Sequence, residues 1–307
     1  MKTRNQSEML LAAVIIARST SLLFAKTCLA SMQPFNLLSL RFGFAFLALA
    51  GIFHKKLSDI SRRTLLHGAI LGASFFALMT TETYSLRLNP TSTVSLLENT
   101  SIILVPLLAS LLSKHLPKRP AVVSAAIAFS GVSLVIMQKG GLTITPGILL
   151  CLAGALIYSG CILLTSHYSK EDNPLQLGIL QIGFMALFAT AAAFLFEKPV
   201  MPHTAAVWGS LAELVLVCSV FGFAFQPVAQ RGTTPERAGL FCALSPMMAT
   251  LLGCTFLKEH FTVVGAAGML LILCAIFVSS VPAARKNAPA AACTTLRSRH
   301  VYRRRAA

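Results

Sequence analysis

The chain has 307 residues, of which 55% are hydrophobic and only 12% are charged. A soluble globular domain carries about 25% charged residues, so this composition excludes a chain whose whole surface faces water. The net charge of +16 reflects 26 Lys and Arg against 10 Asp and Glu. These basic residues fall mainly between apolar segments and in the C-terminal tail, which argues against nucleic-acid binding and indicates membrane loops.

Apolar segments fill the chain almost from end to end. A helix needs about 20 apolar residues to cross a bilayer, and each segment has close to that length. We therefore predict an all-α integral membrane protein with ten transmembrane helices, at residues 9–27, 33–53, 65–86, 91–112, 120–138, 145–166, 176–196, 206–229, 236–257 and 262–281.

Prolines divide these segments in two ways. Proline is tolerated at the first turn of a helix, where its missing N–H would have no partner. The prolines at or beside the start of a segment are Pro34, Pro90, Pro120, Pro146, Pro174 and Pro235. Pro106, Pro227 and Pro246 lie inside segments, where we expect them to kink or loosen the helix.

The distribution of Lys and Arg predicts the orientation. With the N-terminus inside, the inside loops hold twelve Lys and Arg and the outside loops hold five. This excess predicts that both termini are cytoplasmic in a plasma (inner) membrane. Residues 283–307 form a basic tail without periodicity, which we expect to be disordered and cytoplasmic.

The two halves of the chain are related. Residues 105–112 (VPLLASLL) match residues 245–252 (SPMMATLL) at a spacing of 140, and 122–126 (VVSAA) match 263–267 (VVGAA) at 141. We expect one five-helix repeat in residues 1–140 and another in 141–282. Because five is odd, the second repeat would cross the membrane inverted, an arrangement common in secondary transporters.

Several segments resemble the EamA-type branch of the drug/metabolite transporter superfamily. They are LNPTSTVSLL at 88–97, TTPERAGL at 233–240, the segments around Pro106 and Pro246, and Arg41 in an early Leu-Arg-Phe. The resemblance covers residues 9–281 and implies two inverted five-helix repeats around a central cavity. It also implies transport, usually export, of amino acids, metabolites or toxic organic compounds. The family's acidic residue after the ninth helix matches Glu259, whereas Arg119 stands at the aligned position of the first half.

Five ionisable residues lie well inside predicted helices. Each costs about 2.5–3.5 kcal/mol on insertion unless it is paired or faces water. They are Arg18, Arg41, Glu82, Glu98 and Glu213. By residue count, the four other than Arg18 lie towards the outer side, with Arg18 nearer the midplane.

Two interpretations of these charges remain open. In one, Arg41 holds a substrate carboxylate or keeps Glu82 or Glu98 ionised, and a glutamate binds a coupling proton. In the other, the charges form a structural ion pair, and Arg18 reaches along its helix towards water. Asn99 shares a helical face with Glu98 and belongs to the same candidate site.

Tyr158 and Gln226 are further polar candidates for a substrate site. Hydrogen bonding between helices is the simpler account of both. The eight cysteines form no C-x-x-C pair and the histidines show no ligand spacing, so we predict no metal and no cofactor. The sequence thus predicts a transporter with a lipid bilayer, a small molecule and a candidate coupling proton as its partners. A non-transporting scaffold or receptor and a membrane-embedded enzyme are the alternatives.

Overall fold

The structure is a computed structural model that describes residues 4–57, 59–112, 114, 119–137, 145–233 and 263–280, with isolated positions between 238 and 256. These residues form α-helices and one π-helical segment, joined by short connections. The α-helices are α1 Arg4–Ser19, α2 Ser21–Leu29, α3 Pro34–Leu57, α4 Arg62–Leu88, α5 Thr91–Glu98, α6 Ser101–Leu112, α7 Arg119–Met137, α8 Pro146–Glu171, α9 Pro174–Phe196, α10 Ala205–Glu213, α11 Ala224–Gln230 and α12 Val263–Ser280. The π-helical segment is Leu214–Phe223, between α10 and α11.

Seven helical stretches of the described residues are long and apolar enough to cross a membrane. They are Gln6–Leu29, Pro34–Leu57, Arg62–Leu88, Thr91–Leu112, Pro146–Glu171, Pro174–Phe196 and Ala205–Gln230. Two shorter apolar helices, Val122–Leu134 and Val263–Ala275, fall in the fifth and tenth predicted segments. The ninth predicted segment, 236–257, lies almost wholly outside the described residues.

Helix starts follow the predicted chemistry at several points. α3, α8 and α9 each begin with the expected proline. Side-chain caps add to this: Thr145 accepts a hydrogen bond from the Ile148 amide at 3.3 Å, and Asn173 from the Leu175 amide at 3.1 Å. Such caps satisfy amides that have no partner within the helix. Pro90 differs slightly, because it precedes α5 as its N-cap residue.

The distribution of side chains is that of a membrane protein. Large apolar residues lie exposed on the outer faces of the helices, among them Leu47, Phe129 and Phe194. Charged residues lie inside, including Arg41 at 2% exposure. In a bilayer the exposed apolar faces would contact lipid. Burying charged side chains among the helices is energetically costly, so these residues are candidates for a functional site.

Glycines allow the helices to approach each other closely. A Cβ atom on Gly178 of α9 would clash with the Ala224 carbonyl oxygen of α11. On Gly131 of α7 it would lie 2.8 Å from the Gly268 carbonyl oxygen of α12. Small residues at such crossings are typical of helix packing in membranes.

Candidate functional site

A central cavity lies where α1, α2, α4, α5, α8 and the π-helical segment meet. Its polar wall consists of Arg18, Ser21, Glu82, Glu98, Asn99 and Tyr158. Ile15, Leu22, Met79 and Phe223 supply apolar wall, and Ser245 also borders it. The cavity has about 470 Å³ free of protein atoms, including the open solvent at its mouth. The candidates Arg18, Glu82, Glu98, Asn99 and Tyr158 therefore share one space.

Two carboxyl groups meet in this cavity. Glu82 of α4 and Glu98 of α5 are 9% and 8% exposed, and their side chains are close enough to hydrogen-bond to each other. A carboxylate has no proton to donate, so a hydrogen bond between two carboxyl groups needs a proton on one of them. Two ionised groups at this separation would instead repel each other.

The chain is interrupted where Glu98 lies. α5 ends at Glu98 and α6 begins at Ser101, with Asn99 and Thr100 between them. Asn99 folds back, and its Nδ2 donates to the Ser95 carbonyl oxygen at 2.7 Å. Its Oδ1 is buried without a hydrogen-bond partner at the cavity wall. Interrupted helices of this kind often line transporter sites, because they place polar backbone and side-chain groups at depth.

The predicted kink at Pro106 stays a prediction. Pro106 lies inside α6, seven residues after Asn99, and the described interruption of this span falls at Asn99 and Thr100. Pro246 lies outside the described residues, as does Glu259.

Arg18 extends from α1 into the centre of the cavity. Its Nη1 donates to Gln226 Oε1 at 2.7 Å and to the Tyr158 hydroxyl oxygen at 3.3 Å. The guanidinium also lies 4.1 Å above the centre of the Phe223 ring, a cation–π contact. It acts electrostatically on both Glu82 and Glu98. Two of its hydrogen-bond partners, Tyr158 and Gln226, are buried residues of the second half of the chain.

Arg41 lies behind the cavity wall. Its Nε donates to Ser219 Oγ at 2.9 Å, and its Nη2 is buried without a hydrogen-bond partner. Its guanidinium lies 5.6 Å from the Phe223 ring centre, so Phe223 contacts both arginines. Glu82 and Glu213 are near enough to attract the charge of Arg41. This hydrogen bond goes to a hydroxyl group rather than to a glutamate, and the roles predicted for Arg41 stay predictions.

Glu213 is not among the residues that line the cavity. It ends α10, and its Oε1 is 2.6 Å from Thr20 Oγ1. Cys218 Sγ lies 3.4 Å from its Oε2. Although Glu213 does not line the cavity, its influence on Arg41 joins it to the same charged cluster.

Sequence analysis missed several residues that shape this site. Phe223 separates the two arginines, Ser219 holds Arg41, and Thr20 contacts Glu213. No sequence motif indicates that Phe223 would lie between the two arginines. Thr20 is adjacent to the junction of α1 and α2, but a hydroxyl residue in an apolar segment is too common to single out.

An apolar helical bundle that encloses charged side chains is the architecture of a multi-pass membrane protein. The model of the EamA-like transporter family matches the chain twice, at residues 6–137 and 145–281. The chain belongs to that family.

Similar proteins agree with this assignment. Two uncharacterized transporters of Archaeoglobus fulgidus are each 25% identical to the chain. The first alignment covers 90% of this chain and 98% of the relative, and the second covers 88% and 84%. A protein of known crystal structure, 19% identical, matches with a TM-score of 0.68 over 91% of this chain and 97% of its own. At that identity the match shows a shared fold only.

Proposed function

We propose that the protein is a secondary transporter that exports a small metabolite, amino acid or toxic organic compound by alternating access, driven by protons. The observation that carries the proposal is the Glu82–Glu98 carboxyl pair, which opens onto the same cavity as Arg18. A carboxyl pair that shares a proton can release it when its surroundings change, while Arg18 offers a fixed positive charge to a solute.

The proposed architecture is ten helices in two inverted repeats, residues 1–140 and 141–282. The family model supports it by matching each half separately. Contacts between the halves give further support. If two repeats offset by 140 residues are related by a two-fold axis, contacts should recur in pairs under that shift.

Such pairs are present. Cys28 Sγ lies 3.9 Å from the Val207 carbonyl oxygen, and adding and subtracting 140 maps these residues onto Tyr168 and His67, whose rings stack at 4.0 Å. A residue on the axis should contact its own equivalent, and Arg18 donates to Tyr158, 140 residues later.

The position of Arg18 beside the proposed axis bears on mechanism. In an inverted-repeat carrier, the inward-open and outward-open states differ by exchanging the conformations of the two halves. A residue on the axis lies between the halves in both states. Arg18 is therefore our choice for the residue that faces the solute throughout the cycle.

We further propose a plasma (inner) membrane location with cytoplasmic termini, from the excess of Lys and Arg in the predicted inside loops. A scaffold or receptor is a weaker alternative, because it has no use for buried charges that cost about 2.5–3.5 kcal/mol each on insertion. An embedded enzyme would alter the labelled molecule chemically, and the transport assay distinguishes this outcome.

The test is transport by the purified protein in lipid vesicles. The probes are labelled amino acids and labelled organic cations, supplied with and without an imposed pH gradient. We expect one class to accumulate, and to stop accumulating when the gradient is collapsed. Glu98→Gln should abolish gradient-driven accumulation but retain solute binding, whereas Glu171→Gln, a matched change at the helix end, should leave both intact.

Two outcomes would contradict the proposal. Movement that does not depend on the gradient would indicate a facilitator or exchanger, and would leave the carboxyl pair as a structural contact. Proton dependence retained in Glu98→Gln would show that this pair is not the coupling site.

A further inference from the structure

Glu213, the embedded acid that does not line the cavity, has surroundings that suggest a separate role. Glu213 is the last residue of α10, directly before the π-helical segment. It faces Thr20, the single residue between α1 and α2. Two spans therefore depart from regular α-helix at the place where they meet, and a carboxyl group joins them.

The π-helical segment brings Cys218 onto this carboxyl group. Neighbours on one face of an α-helix are three or four residues apart, whereas Cys218 follows Glu213 by five. The wider turn of a π-helix suits contacts at that spacing. Cys218 Sγ lies 3.5 and 3.4 Å from the two carboxyl oxygens, and 3.2 Å from the Ala17 carbonyl oxygen of α1.

A count of hydrogens indicates which state of Glu213 satisfies these contacts. Thr20 has one hydroxyl hydrogen and two acceptors in reach, Glu213 Oε1 at 2.6 Å and the Ala17 carbonyl oxygen at 2.9 Å. Cys218 has one thiol hydrogen. If Glu213 is ionised, Thr20 donates to the carboxylate, since a charged acceptor is stronger, and the Cys218 thiol donates either to Glu213 or to the Ala17 carbonyl oxygen.

If Glu213 carries a proton, three hydrogen bonds can form at once instead of two. Glu213 donates to Thr20, Thr20 donates to the Ala17 carbonyl oxygen, and Cys218 donates to the second Glu213 oxygen. The proton thus adds a hydrogen bond at the end of α1. Binding or releasing it changes how the junction of α1 and α2 is held against the π-helical segment.

The charges that face Glu213 are compatible with both states. Arg41 of α3 attracts its ionised form, and Arg18 of α1 and Glu82 of α4 act on Arg41 in turn. The five embedded groups sum to −1 with no proton bound and to +1 with two. A cycle with one proton on the cavity pair and one on Glu213 therefore never takes the cluster more than one charge from neutrality.

We propose that Glu213 is a second proton-binding site, separate from the Glu82–Glu98 pair, whose protonation changes the hydrogen bonding at the junction of α1 and α2. This proposal rests on the proposed function and deepens it, because it predicts two protons for each solute rather than one.

The test needs no knowledge of the solute. Infrared difference spectra of the purified protein in lipid, recorded across a pH step, detect protonated carboxyl groups by their C=O band. We expect a band that Glu213→Gln removes and Glu171→Gln retains. Thr20→Val should keep that band but shift it to higher frequency, because Glu213 loses its hydrogen-bond acceptor.

Three results would overturn the inference. A wild-type spectrum unchanged by Glu213→Gln would mean that Glu213 neither binds nor releases a proton across the pH step. A Thr20→Val band at the wild-type frequency would reject the hydrogen-bond chain, and this variant remains informative if Glu213→Gln does not fold. A band that responds to sodium chloride at constant pH would make Glu213 a sodium ligand instead.

The transport measurement then extends the test. For a solute found to accumulate, the balance between its gradient and the pH gradient gives the number of protons per solute. We expect two in the wild type and one in Glu213→Gln, and equal numbers would overturn the proposal. Because the infrared bands need no solute, failure of the transport assay rejects the proposed function without removing the Glu213 band.

Discussion

Replacing Gly222 with alanine should weaken transport while leaving the fold intact. Gly222 lies in the π-helical segment directly behind the Arg18 side chain. An added Cβ atom would lie 2.6 Å from Arg18 Cγ, whereas ordinary contacts begin at 3.4 Å. Since Arg18 has a flexible stem, we expect the stem to move by about 1 Å rather than the backbone to shift.

The size of the effect follows from what Arg18 holds. Arg18 donates to Gln226 at 2.7 Å and to Tyr158 at 3.3 Å. A shift of the guanidinium would therefore lengthen or break at least one of these hydrogen bonds. A hydrogen bond to a charged group contributes about 1.5–3 kcal/mol. Because about 1.4 kcal/mol is a tenfold change in affinity, losing one such bond to Arg18 or to the solute should raise KM roughly ten- to a hundredfold.

The assay is concentration-dependent uptake into vesicles, compared with Gly209→Ala. Gly209 lies in the same span, and a Cβ atom there would meet nothing within 4 Å. We expect Gly209→Ala to keep the wild-type KM, and both variants to unfold near the wild-type temperature. A wild-type KM for Gly222→Ala would refute the idea that the placement of Arg18 determines solute binding.

Further predictions concern stability, measured by thermal unfolding in detergent. Gly178→Ala should destabilise by about 1–3 kcal/mol, since its Cβ would meet the Ala224 backbone, which cannot rotate away; Gly43→Ala, with open space, should not. Asp172→Asn should cost about 1–3 kcal/mol, because the carboxylate bonds both His67 at 2.5 Å and Thr64 at 3.0 Å. Glu197→Gln should cost about 0.3–1 kcal/mol, because Glu197 accepts from the Phe35 and Asn36 amides at the start of α3. Wild-type melting in Gly178→Ala, Asp172→Asn or Glu197→Gln would contradict the reason stated for that variant.

The course of the helices was predictable because it depends on local chemistry. Hydropathy fixes which segments are apolar, and prolines such as Pro146 and Pro174 fix where helices begin. α8 still runs five residues beyond the predicted end at 166, because its last turn is polar and carries no apolar signal. The interruption at Asn99 and Thr100 was not foreseen either, since the proline seven residues later was the more obvious signal.

The grouping of the site could be predicted only in part. Residue counting gives depth along a helix, and depth suggested that Glu82 and Glu98 lie at similar levels. Rotation about the helix axis depends on packing against distant helices, and it decides that Glu98 faces the cavity while Glu213 faces Thr20. The π-helical segment changes the direction in which side chains point around the helix axis within one span. No residue pattern in 214–223 predicts this segment.

The two halves differ in the feature that matters most for transport. At the spacing of 140, none of the five embedded charges is matched by a charge: Arg18 corresponds to Tyr158, Arg41 to Gln181, Glu82 to Gly222, Glu98 to Ala238 and Glu213 to Ala73. Gly222 shows how this asymmetry works. The side chain of Arg18 occupies the space that Gly222 leaves empty, and the related pair, Tyr158 and Glu82, lines the same cavity. In the proposed inverted-repeat architecture, the scaffold can supply two related conformations, while unequal side chains at equivalent positions allow the two conformations to differ in their affinity for a proton. That difference is what coupling a proton gradient to a solute requires, because a ligand shifts an equilibrium only through unequal affinity for its states.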